Sequence, residues 1–166
     1  MTESDPVVTV AEIMRRSVPT VAPEDTIGTV ARKLVENGIS GIPVVSDGVM
    51  HGIITESDLI FREAEVSVPG VSTFFDAVLV GDAGTPFEDD LRRVLASTAK
   101  QLMTAPVLSI RQQATLQDVA TLMTEYKVST VPVLDDGNNL VGMVGRSDLV
   151  RVIARLEANG DAGGNA

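Results

Sequence analysis

The sequence predicts an α/β (α+β) fold built from two β-α-β-β-α repeats that pack with pseudo-two-fold symmetry, their sheets facing each other. Three observations predict it. The chain of 166 residues is long enough to bury a sizeable core. Hydrophobic residues make up 44% of it and aromatic residues only 3%, so the core must be aliphatic, which suits short strands covered by helices. One motif, an apolar strand followed by Ser-Asp-Leu, occurs near the end of both halves, at Gly52–Leu59 and Gly142–Leu149.

The first repeat is predicted at residues 8–64 and begins with short elements. Val10–Arg16 is expected to form a short helical turn, and Val18–Val21 an extended piece. A helix should follow, since apolar residues recur at the i, i+3, i+4 and i+7 spacing of an amphipathic helix. These residues are Ile27, Val30, Ala31, Leu34 and Val35. Gly38 lies where a C-terminal helix cap is expected.

Two strands and a second helix complete this repeat. Ile42–Val45 and Val49–Thr55 are predicted strands, joined by a hairpin turn at Ser46-Asp47-Gly48, because Asp and Gly adopt positive φ at low cost. Ser57 is expected to start the last helix, which should run to about Ala64.

The second repeat, predicted at residues 100–157, carries similar residues in the same order. The matched pairs include Met14 with Met103, Thr26 with Thr115, Ser40 with Ser129, Pro43 with Pro132, Gly52 with Gly142 and Asp58 with Asp148. Agreement over so many positions indicates a duplication. Residues 65–99 form the connection, with an amphipathic helix expected near 87–99, and the polar tail at 158–166 is expected to be disordered.

Composition and charge exclude several classes of function. A net charge of −10 repels nucleic-acid phosphates and disfavours a nucleic-acid partner. The chain has a single histidine and no cysteine, so neither the usual catalytic triads nor a metal site is expected, and we predict that the protein is not an enzyme. We find no signal peptide and no apolar run long enough to span a bilayer, so we expect a cytoplasmic protein without a membrane partner.

The junction that follows Gly52 combines groups that could hold a nucleotide. The first N–H groups of a helix have no internal acceptor and carry partial positive charge, so they attract anions. Hydroxyls of Thr55 and Ser57 could donate to a phosphate, and the carboxylate of Asp58 could accept from two vicinal ribose hydroxyls. The alternative is structural, because Ser is a favoured N-cap and Asp is favoured in the first turn. Duplication copies caps as well as sites, so both interpretations stay open.

The repeated motifs also point to a known family. They are the segments Val-Pro-Thr-Val and Val-Leu-Ser-Ile, the strands Ile-Pro-Val-Val and Val-Pro-Val-Leu, and two Gly-x-x-x-x-Ser-Asp-Leu closings. In these motifs and their order, the sequence resembles a tandem pair of cystathionine-β-synthase-type (CBS) domains, a Bateman module. The resemblance implies an adenosine-containing regulatory ligand, either AMP, ADP, ATP or S-adenosylmethionine, bound in clefts between the repeats, and no resident cofactor.

The resemblance further implies which residues contact that ligand. Asp58 and Asp148 would hold the ribose, and Thr55, Ser57 and Ser147 would face the phosphate. The residues that would border the adenine are Thr20, Val21, Ile42 and Pro43 in one cleft, and Ser109, Ile110, Val131 and Pro132 in the other.

The two junctions differ at one position. Thr55 corresponds to Gly145, which lacks a hydroxyl, although Arg146 beside it could offer charge to a phosphate. We therefore expect the two sites to differ in affinity or in ligand.

Together these features predict a stand-alone regulatory module that acts as an energy or metabolite sensor. Ligand binding would shift the arrangement of the repeats or of two chains, and a regulated partner protein would respond to that change. A homodimer is expected, since each module leaves apolar helix faces that a second copy can cover. The alternative is a structural or dimerisation module without a physiological nucleotide ligand.

Overall fold

The computed structural model describes residues 7–66 and 96–162. Their elements, in chain order, are α1 (Val10–Ile13), α2 (Ile27–Asn37), β1 (Gly41–Ser46), β2 (Val49–Thr55), α3 (Glu56–Val66), α4 (Ala99–Leu102), β3 (Ile110–Arg111), α5 (Leu116–Glu125), β4 (Thr130–Leu134), β5 (Leu140–Gly145) and α6 (Arg146–Ala162). This order confirms the mixed α/β fold with two β-α-β-β-α-like repeats.

The chain divides into two compact units that are not simply the two repeats. One unit is Pro19–Pro106, and the other joins Met1–Val18 to Val107–Ala166. The short helix with which each repeat begins therefore belongs to the unit that holds the strands of the other repeat. Helix α1 lies in the unit of β3, β4 and β5, and α4 lies in the unit of β1 and β2.

In the unit Pro19–Pro106, β1 and β2 form an antiparallel hairpin in which Gly41 lies opposite Thr55. Val21 adds a parallel bridge to Val44, as the extended piece predicted before α2. The hairpin turns at Asp47 and Gly48 with φ of 52° and 75°, which confirms the predicted turn.

In the other unit, the sheet order is β3-β4-β5, with β3 parallel to β4 and β4 antiparallel to β5. Thr130 lies opposite Gly145, as Gly41 lies opposite Thr55 in the first unit. The two junctions between strand and helix therefore occupy the same place in the two hairpins.

Each unit has an aliphatic core, as the composition predicts. In Pro19–Pro106 the buried core is Val21, Val30, Leu34, Ile42, Val44, Ile54, Ala96, Ala99 and Leu102. In the other unit it is Val10, Met14, Val119, Met123, Val131, Val133, Val144 and Leu149. Residues from α4 and α1 are among these, so the exchanged short helices are part of the cores.

Several predicted boundaries differ from the structure, among them that of the first helical turn, which was predicted over Val10–Arg16 and ends at Ile13. Helix α3 begins at Glu56 rather than Ser57, because Thr55 already occupies the cap position. Helix α6 continues to Ala162, into the region 158–166 that was predicted to be disordered, since extending an existing helix is less costly than starting one. Of the helix predicted near 87–99, the part before Ala96 lies outside the described residues. Residues 96–98 are not helical, and α4 begins at Ala99.

The glycine that begins each repeated motif is required because a methionine at the end of the short helix in the same unit lies against it. A Cβ on Gly52 would lie 2.7 Å from Cγ and 2.9 Å from Cβ of Met103. A Cβ on Gly142 would lie 2.9 Å from Cγ of Met14 and 3.0 Å from the carbonyl oxygen of Arg15. Real Cβ atoms do not approach so closely, so both strands need glycine where the short segment crosses them.

Replacing either glycine by alanine should destabilise the fold. We expect Gly52→Ala and Gly142→Ala each to lower the free energy of unfolding by about 1–3 kcal/mol, because the methyl group overpacks the methionine contact. Urea denaturation followed by circular dichroism measures this.

Gly28→Ala is the matched control. Its added Cβ would have Thr26 Oγ1, 3.9 Å away, as its nearest neighbour, and Gly28 lies within α2. Alanine there should raise stability by up to about 1 kcal/mol through helix propensity. Full stability of both Gly52→Ala and Gly142→Ala would contradict the close contact.

Candidate ligand-binding site

The first junction is closed by the carboxylate of Asp58. The backbone N–H of Thr55 donates to Asp58 Oδ2 at 2.8 Å, and the Thr55 hydroxyl donates to the same oxygen at 3.2 Å. The N–H of Glu56 donates to the carbonyl oxygen of Ser40 at 3.0 Å. The acid thus fixes the turn in which β2 ends and α3 begins.

The second junction repeats this geometry. The N–H of Gly145 donates to Asp148 Oδ2 at 2.8 Å, and the N–H of Arg146 donates to the carbonyl oxygen of Ser129 at 3.0 Å. Gly145 has no hydroxyl, so Asp148 loses the second hydrogen bond that Thr55 gives to Asp58. One oxygen of each acid therefore caps a helix from within its first turn, as the structural alternative expects of the aspartates, whereas Ser57 and Ser147 lie inside the helices and are not their N-caps.

The same capping arrangement, an aspartate that accepts from the residue before the helix, occurs at a helix where no ligand was predicted. At the start of α5, the N–H and the hydroxyl of Thr115 both donate to Asp118 Oδ2 at 2.8 Å. The hydrogen bond from the Thr115 N–H, and next that from its hydroxyl, hold the pKa of Asp118 below its ordinary value. Capping alone is consequently not a sign of a ligand, and any binding role of Asp58 or Asp148 depends on the other carboxylate oxygen.

In Asp148 that other oxygen is already engaged. Asp148 Oδ1 accepts from Arg15 Nε at 3.2 Å and from the Arg151 guanidinium at 3.3 Å. Only 4% of Asp148 is exposed to solvent. Both oxygens are therefore hydrogen-bonded within the unit, and two arginines compensate the charge.

In Asp58 the other oxygen is open. Within residues 7–66 and 96–162, Asp58 Oδ1 has no hydrogen-bond partner, and none of the described side-chain oxygens is buried without one, so this oxygen reaches solvent. Asp58 itself is half-buried. It is the carboxylate of the two that retains free acceptor capacity.

The two carboxylates differ in their partners because the residues at two neighbouring positions differ between the repeats. Arg15 bonds through its backbone to Met143, and Thr104 bonds in the same way to Ile53, so Thr104 takes the place of Arg15 in the first unit. The repeat alignment likewise sets Phe61 at the position of Arg151. Neither counterpart carries a charge.

The predicted contacts of the first copy come together in one unit. The N–H of Val21 donates to the carbonyl oxygen of Pro43 at 3.1 Å, and Ile42 pairs with Ile54, the residue before the junction. Ile42 and Pro43 are fully buried, so what they could offer a ligand is chiefly main chain. Thr20 is half-buried.

The two residues of this copy that are predicted to face a phosphate lie where β2 meets α3. Ser57 is exposed and Thr55 is half-buried, both at the start of α3. The first N–H groups of that helix have no intrahelical acceptor, which gives the junction a partial positive charge beside the two hydroxyls.

Two cations contact residues of the predicted sites, one in each unit, and the sequence analysis gave neither of them a role. Lys33 Nζ donates to the carbonyl oxygen of Thr20 at 2.9 Å, which brings a charge to the predicted adenine border. Arg15 neutralises Asp148. A signal for Arg15 existed, because the repeat alignment sets an arginine against a threonine; for Lys33 the position in α2 gave none.

The second set is also assembled within its unit. Ile110 pairs with Val133, and Val131 pairs with Val144, so Ile110, Val131 and Pro132 lie in the same sheet, and Ser109 directly precedes β3. Val131 and Pro132 are buried, whereas Ser109 and Ile110 are half-buried. Ser147 is exposed at the start of α6.

Arg146 lines a groove between α5 and α6 with Leu149 and Val150, and the arginines that contact Asp148 are Arg15 and Arg151. The role expected of Arg146, to offer charge to a phosphate, stays a prediction.

Two kinds of feature are absent from the described part of the chain. Residues 7–66 and 96–162 contain no cluster of His, Cys, Asp or Glu that could hold a metal ion. None of the helices described is both long and apolar enough to cross a membrane.

Comparison with known proteins identifies the family. The model of the CBS domain matches this chain twice, at residues 10–65 and 99–155. Protein MJ1426 of Methanocaldococcus jannaschii is 29% identical over 152 residues, which cover 87% of this chain and 90% of that protein. The chloroplastic CBS domain-containing protein CBSX1 of Arabidopsis thaliana is 29% identical over 164 residues, which cover 93% of this chain and 68% of CBSX1.

An enzyme also contains a similar stretch. Inosine-5′-monophosphate dehydrogenase of Korarchaeum cryptofilum is 28% identical over 134 residues, but these cover only 22% of the enzyme. The likeness is therefore confined to a small part of that protein.

Solved structures share the fold. The crystal structure of CBSX2 in complex with AMP has a TM-score of 0.72 and 24% identity, covering 90% of this chain and 99% of that one. The CBS domain pair of protein MJ0100, in complex with 5′-methylthioadenosine and S-adenosyl-L-methionine, has a TM-score of 0.67 and 24% identity. It covers 88% of this chain and 99% of that one. With two family matches, a duplicated fold and paired junctions, this chain belongs to the CBS domain family as a tandem pair, a Bateman module.

Proposed function

We propose that this protein is a stand-alone regulatory module that binds an adenosine-containing ligand and so senses an energy or metabolite state. The ligand class is AMP, ADP, ATP or S-adenosylmethionine. The observation that carries the proposal is the open, solvent-facing oxygen of Asp58, set beside two hydroxyls at a helix start.

The first junction has the chemistry for a sugar-phosphate. Asp58 Oδ2 already accepts from the N–H and the hydroxyl of Thr55, while Oδ1 keeps two lone pairs. Two vicinal ribose hydroxyls could donate to that oxygen. Ser57 and the first N–H groups of α3 would then donate to a phosphate or another anionic group.

The second junction is the weaker site in this account. A ribose could reach Asp148 Oδ1 only by replacing the bonds from Arg15 and Arg151, which already satisfy a nearly buried carboxylate. Displacing those bonds costs free energy, because the arginines would lose a charged acceptor. We therefore propose one dominant ligand per chain, held at the first junction.

The relatives supply the first ligands to test. CBSX2 was crystallised with AMP, and the CBS pair of MJ0100 with S-adenosyl-L-methionine and 5′-methylthioadenosine. We propose binding rather than catalysis, since the junction offers donors and acceptors to a ligand, and the sequence has one histidine and no cysteine to build a nucleophile-base pair.

A second candidate function is a structural module without a nucleotide ligand. The capping bonds of both acids favour it, since they account for one oxygen of each and also occur at Asp118, away from either junction. Under this alternative, the open oxygen of Asp58 would simply be hydrated.

Ligand binding is tested directly by calorimetry and by thermal shift. We expect at least one of AMP, ADP, ATP and S-adenosylmethionine to bind with about one site per chain. The bound form should melt higher, since a ligand that binds only the folded state stabilises it by mass action. Guanosine analogues serve as controls. Folded protein that responds to none of the adenosine compounds would favour the structural module.

The role of Asp58 is tested by Asp58→Asn. The asparagine oxygen can still accept from the Thr55 N–H, so the cap is kept, while an amide NH2 replaces the open carboxylate oxygen. We expect affinity to fall roughly 10- to 100-fold, as expected for losing hydrogen bonds to a charged group.

Asp148→Asn and Asp118→Asn are the comparators. The first changes the corresponding acid and the second changes a cap outside the junctions, so both should leave affinity within about twofold, as expected for groups that do not contact the ligand. Equal losses in Asp58→Asn and Asp148→Asn would contradict the proposed inequality of the junctions. Melting temperatures of the free variants separate loss of ligand from loss of fold.

Arg15 and Arg151 are proposed to keep a ligand away from Asp148, and this is tested by replacing both with uncharged residues. Arg15→Thr installs the residue found at the corresponding Thr104, and Arg151→Ala removes the other cation. We expect the double variant to bind a second, weaker ligand in calorimetry, because Asp148 Oδ1 becomes available. A double variant that folds but still binds one ligand would show that these arginines do not close the junction.

A further inference from the structure

Lys33 holds a positive charge at the predicted adenine border of the first unit. Its ammonium Nζ donates to the carbonyl oxygen of Thr20 at 2.9 Å, and both residues are half-buried. Within residues 7–66 and 96–162, this ammonium contacts no carboxylate. An ammonium has three N–H donors, so two remain beyond the one that Thr20 accepts. Partial burial of the charge makes a further acceptor favourable.

The second repeat has an apolar residue at the position of Lys33. The repeat alignment sets Lys33 against Leu122 of α5, which packs on the core of its unit. Lys33 itself lies on α2 beside Val30 and Leu34, which belong to the core of the first unit. The fold therefore does not require an ammonium at this position, because the duplicated unit forms the same helix without one.

This difference falls in the unit whose junction keeps an open carboxylate oxygen. Lys33 and Asp58 both belong to the unit Pro19–Pro106. Leu122 belongs to the other unit, where Asp148 has both oxygens engaged. One unit thus offers a ligand a free acceptor and free donors, and the other offers neither at the corresponding positions.

The carbonyl that Lys33 contacts points away from β1. Val21 donates to the carbonyl oxygen of Pro43 and accepts from the N–H of Val45, so both of its main-chain groups face β1. Main-chain groups of successive residues in an extended chain point to opposite sides, so the carbonyl of Thr20 faces outwards. This oxygen has two lone pairs, of which Lys33 uses one.

The span from Lys33 to the first junction suits a nucleoside. Val44 pairs with Val21 on one side and with Gly52 of β2 on the other, so β1 lies between the extended piece and β2. Two strand spacings separate these flanking segments, or about 10 Å. A nucleoside that makes a hydrogen bond of about 3 Å at each end covers a comparable distance. A ribose held by Asp58 would therefore allow its base to reach Lys33.

The edge of adenine is complementary to the pair formed by Lys33 and Thr20. Lys33 Nζ is a donor and the Thr20 carbonyl oxygen is an acceptor, 2.9 Å apart. In adenine the exocyclic amine N6 donates, and the ring nitrogens N1 and N7 on either side of it accept. An asparagine or glutamine amide that binds adenine bidentately offers the same two kinds of group side by side.

We propose that Lys33 is a base-recognising residue, whose Nζ donates to N1 or N7 of the adenine while it lies against the Thr20 carbonyl. The inference rests on the proposed function, since it requires an adenosine-containing ligand at the first junction. It adds to the site a residue of α2, a helix in which no ligand contact was predicted.

The test measures by calorimetry how the full chain binds AMP and its 1-deaza and 7-deaza analogues, each of which lacks one ring acceptor. If S-adenosylmethionine is the compound that binds, the same series of it is used. We expect one analogue to bind the parent roughly tenfold more weakly than AMP, as for a lost hydrogen bond to a charged group. Lys33→Met should weaken AMP by a similar factor and should no longer distinguish AMP from that analogue.

Lys100→Met is the matched control, because it removes the same charge from an exposed lysine of the same unit. It should leave all three affinities within about twofold, as expected for a group outside the contact. Melting temperatures of the free variants show that each is folded. If Lys33→Met does not fold, Lys33→Leu replaces it with the residue of the second repeat, and the analogue series on the parent needs no variant.

Two results would overturn the inference and leave the proposed function intact. A parent that binds AMP and both analogues equally has no such contact with the base. If Lys33→Met weakens AMP and both analogues by one common factor, Lys33 only caps the Thr20 carbonyl. A parent that binds no adenosine compound would instead contradict the proposed function, and this inference with it.

Discussion

A carboxylate that accepts the N–H at the end of a strand is the interaction on which both halves of this protein depend. The bonds from Thr55 to Asp58 and from Gly145 to Asp148 are each 2.8 Å long and turn a strand directly into a helix. A hydrogen bond to a charged group contributes about 1.5–3 kcal/mol, so the turn is well determined. Its geometry aims a helix start, with its partial positive charge, at the same place in each unit.

The two junctions differ in the side chains that surround the second carboxylate oxygen, Oδ1, of Asp58 and Asp148. Arg15 and Arg151 satisfy it in Asp148, while Thr104 and Phe61 stand at the corresponding positions of the first unit. A duplication therefore preserved the scaffold in both copies while leaving acceptor capacity in one. The same divergence shows at the surface, where Glu56 and Arg146 give corresponding helix starts opposite charge, so each copy has kept the fold and acquired separate chemistry.

The repeat itself could be predicted from sequence, because helix periodicity, the Asp47-Gly48 turn and the Gly38 cap are local signals. Pairing across the chain could not. That Met14 crosses Gly142 and Met103 crosses Gly52 depends on short helices exchanged between the units, which no local pattern reports. The junction residues were predicted from the sequence, and so was a difference between the two junctions, but only from the exchange of Thr55 for Gly145. The contact of Arg15 with Asp148 was not predicted, because the two residues lie more than a hundred positions apart and no local pattern indicates it.

The most direct measurement is a crystal structure of the protein grown with AMP. We predict nucleotide density at the first junction, with the ribose hydroxyls within hydrogen-bond distance of Asp58 Oδ1, and with the bonds from Arg15 and Arg151 to Asp148 intact. Ribose bound to Asp148 with those bonds broken, while Asp58 holds only water, would contradict it.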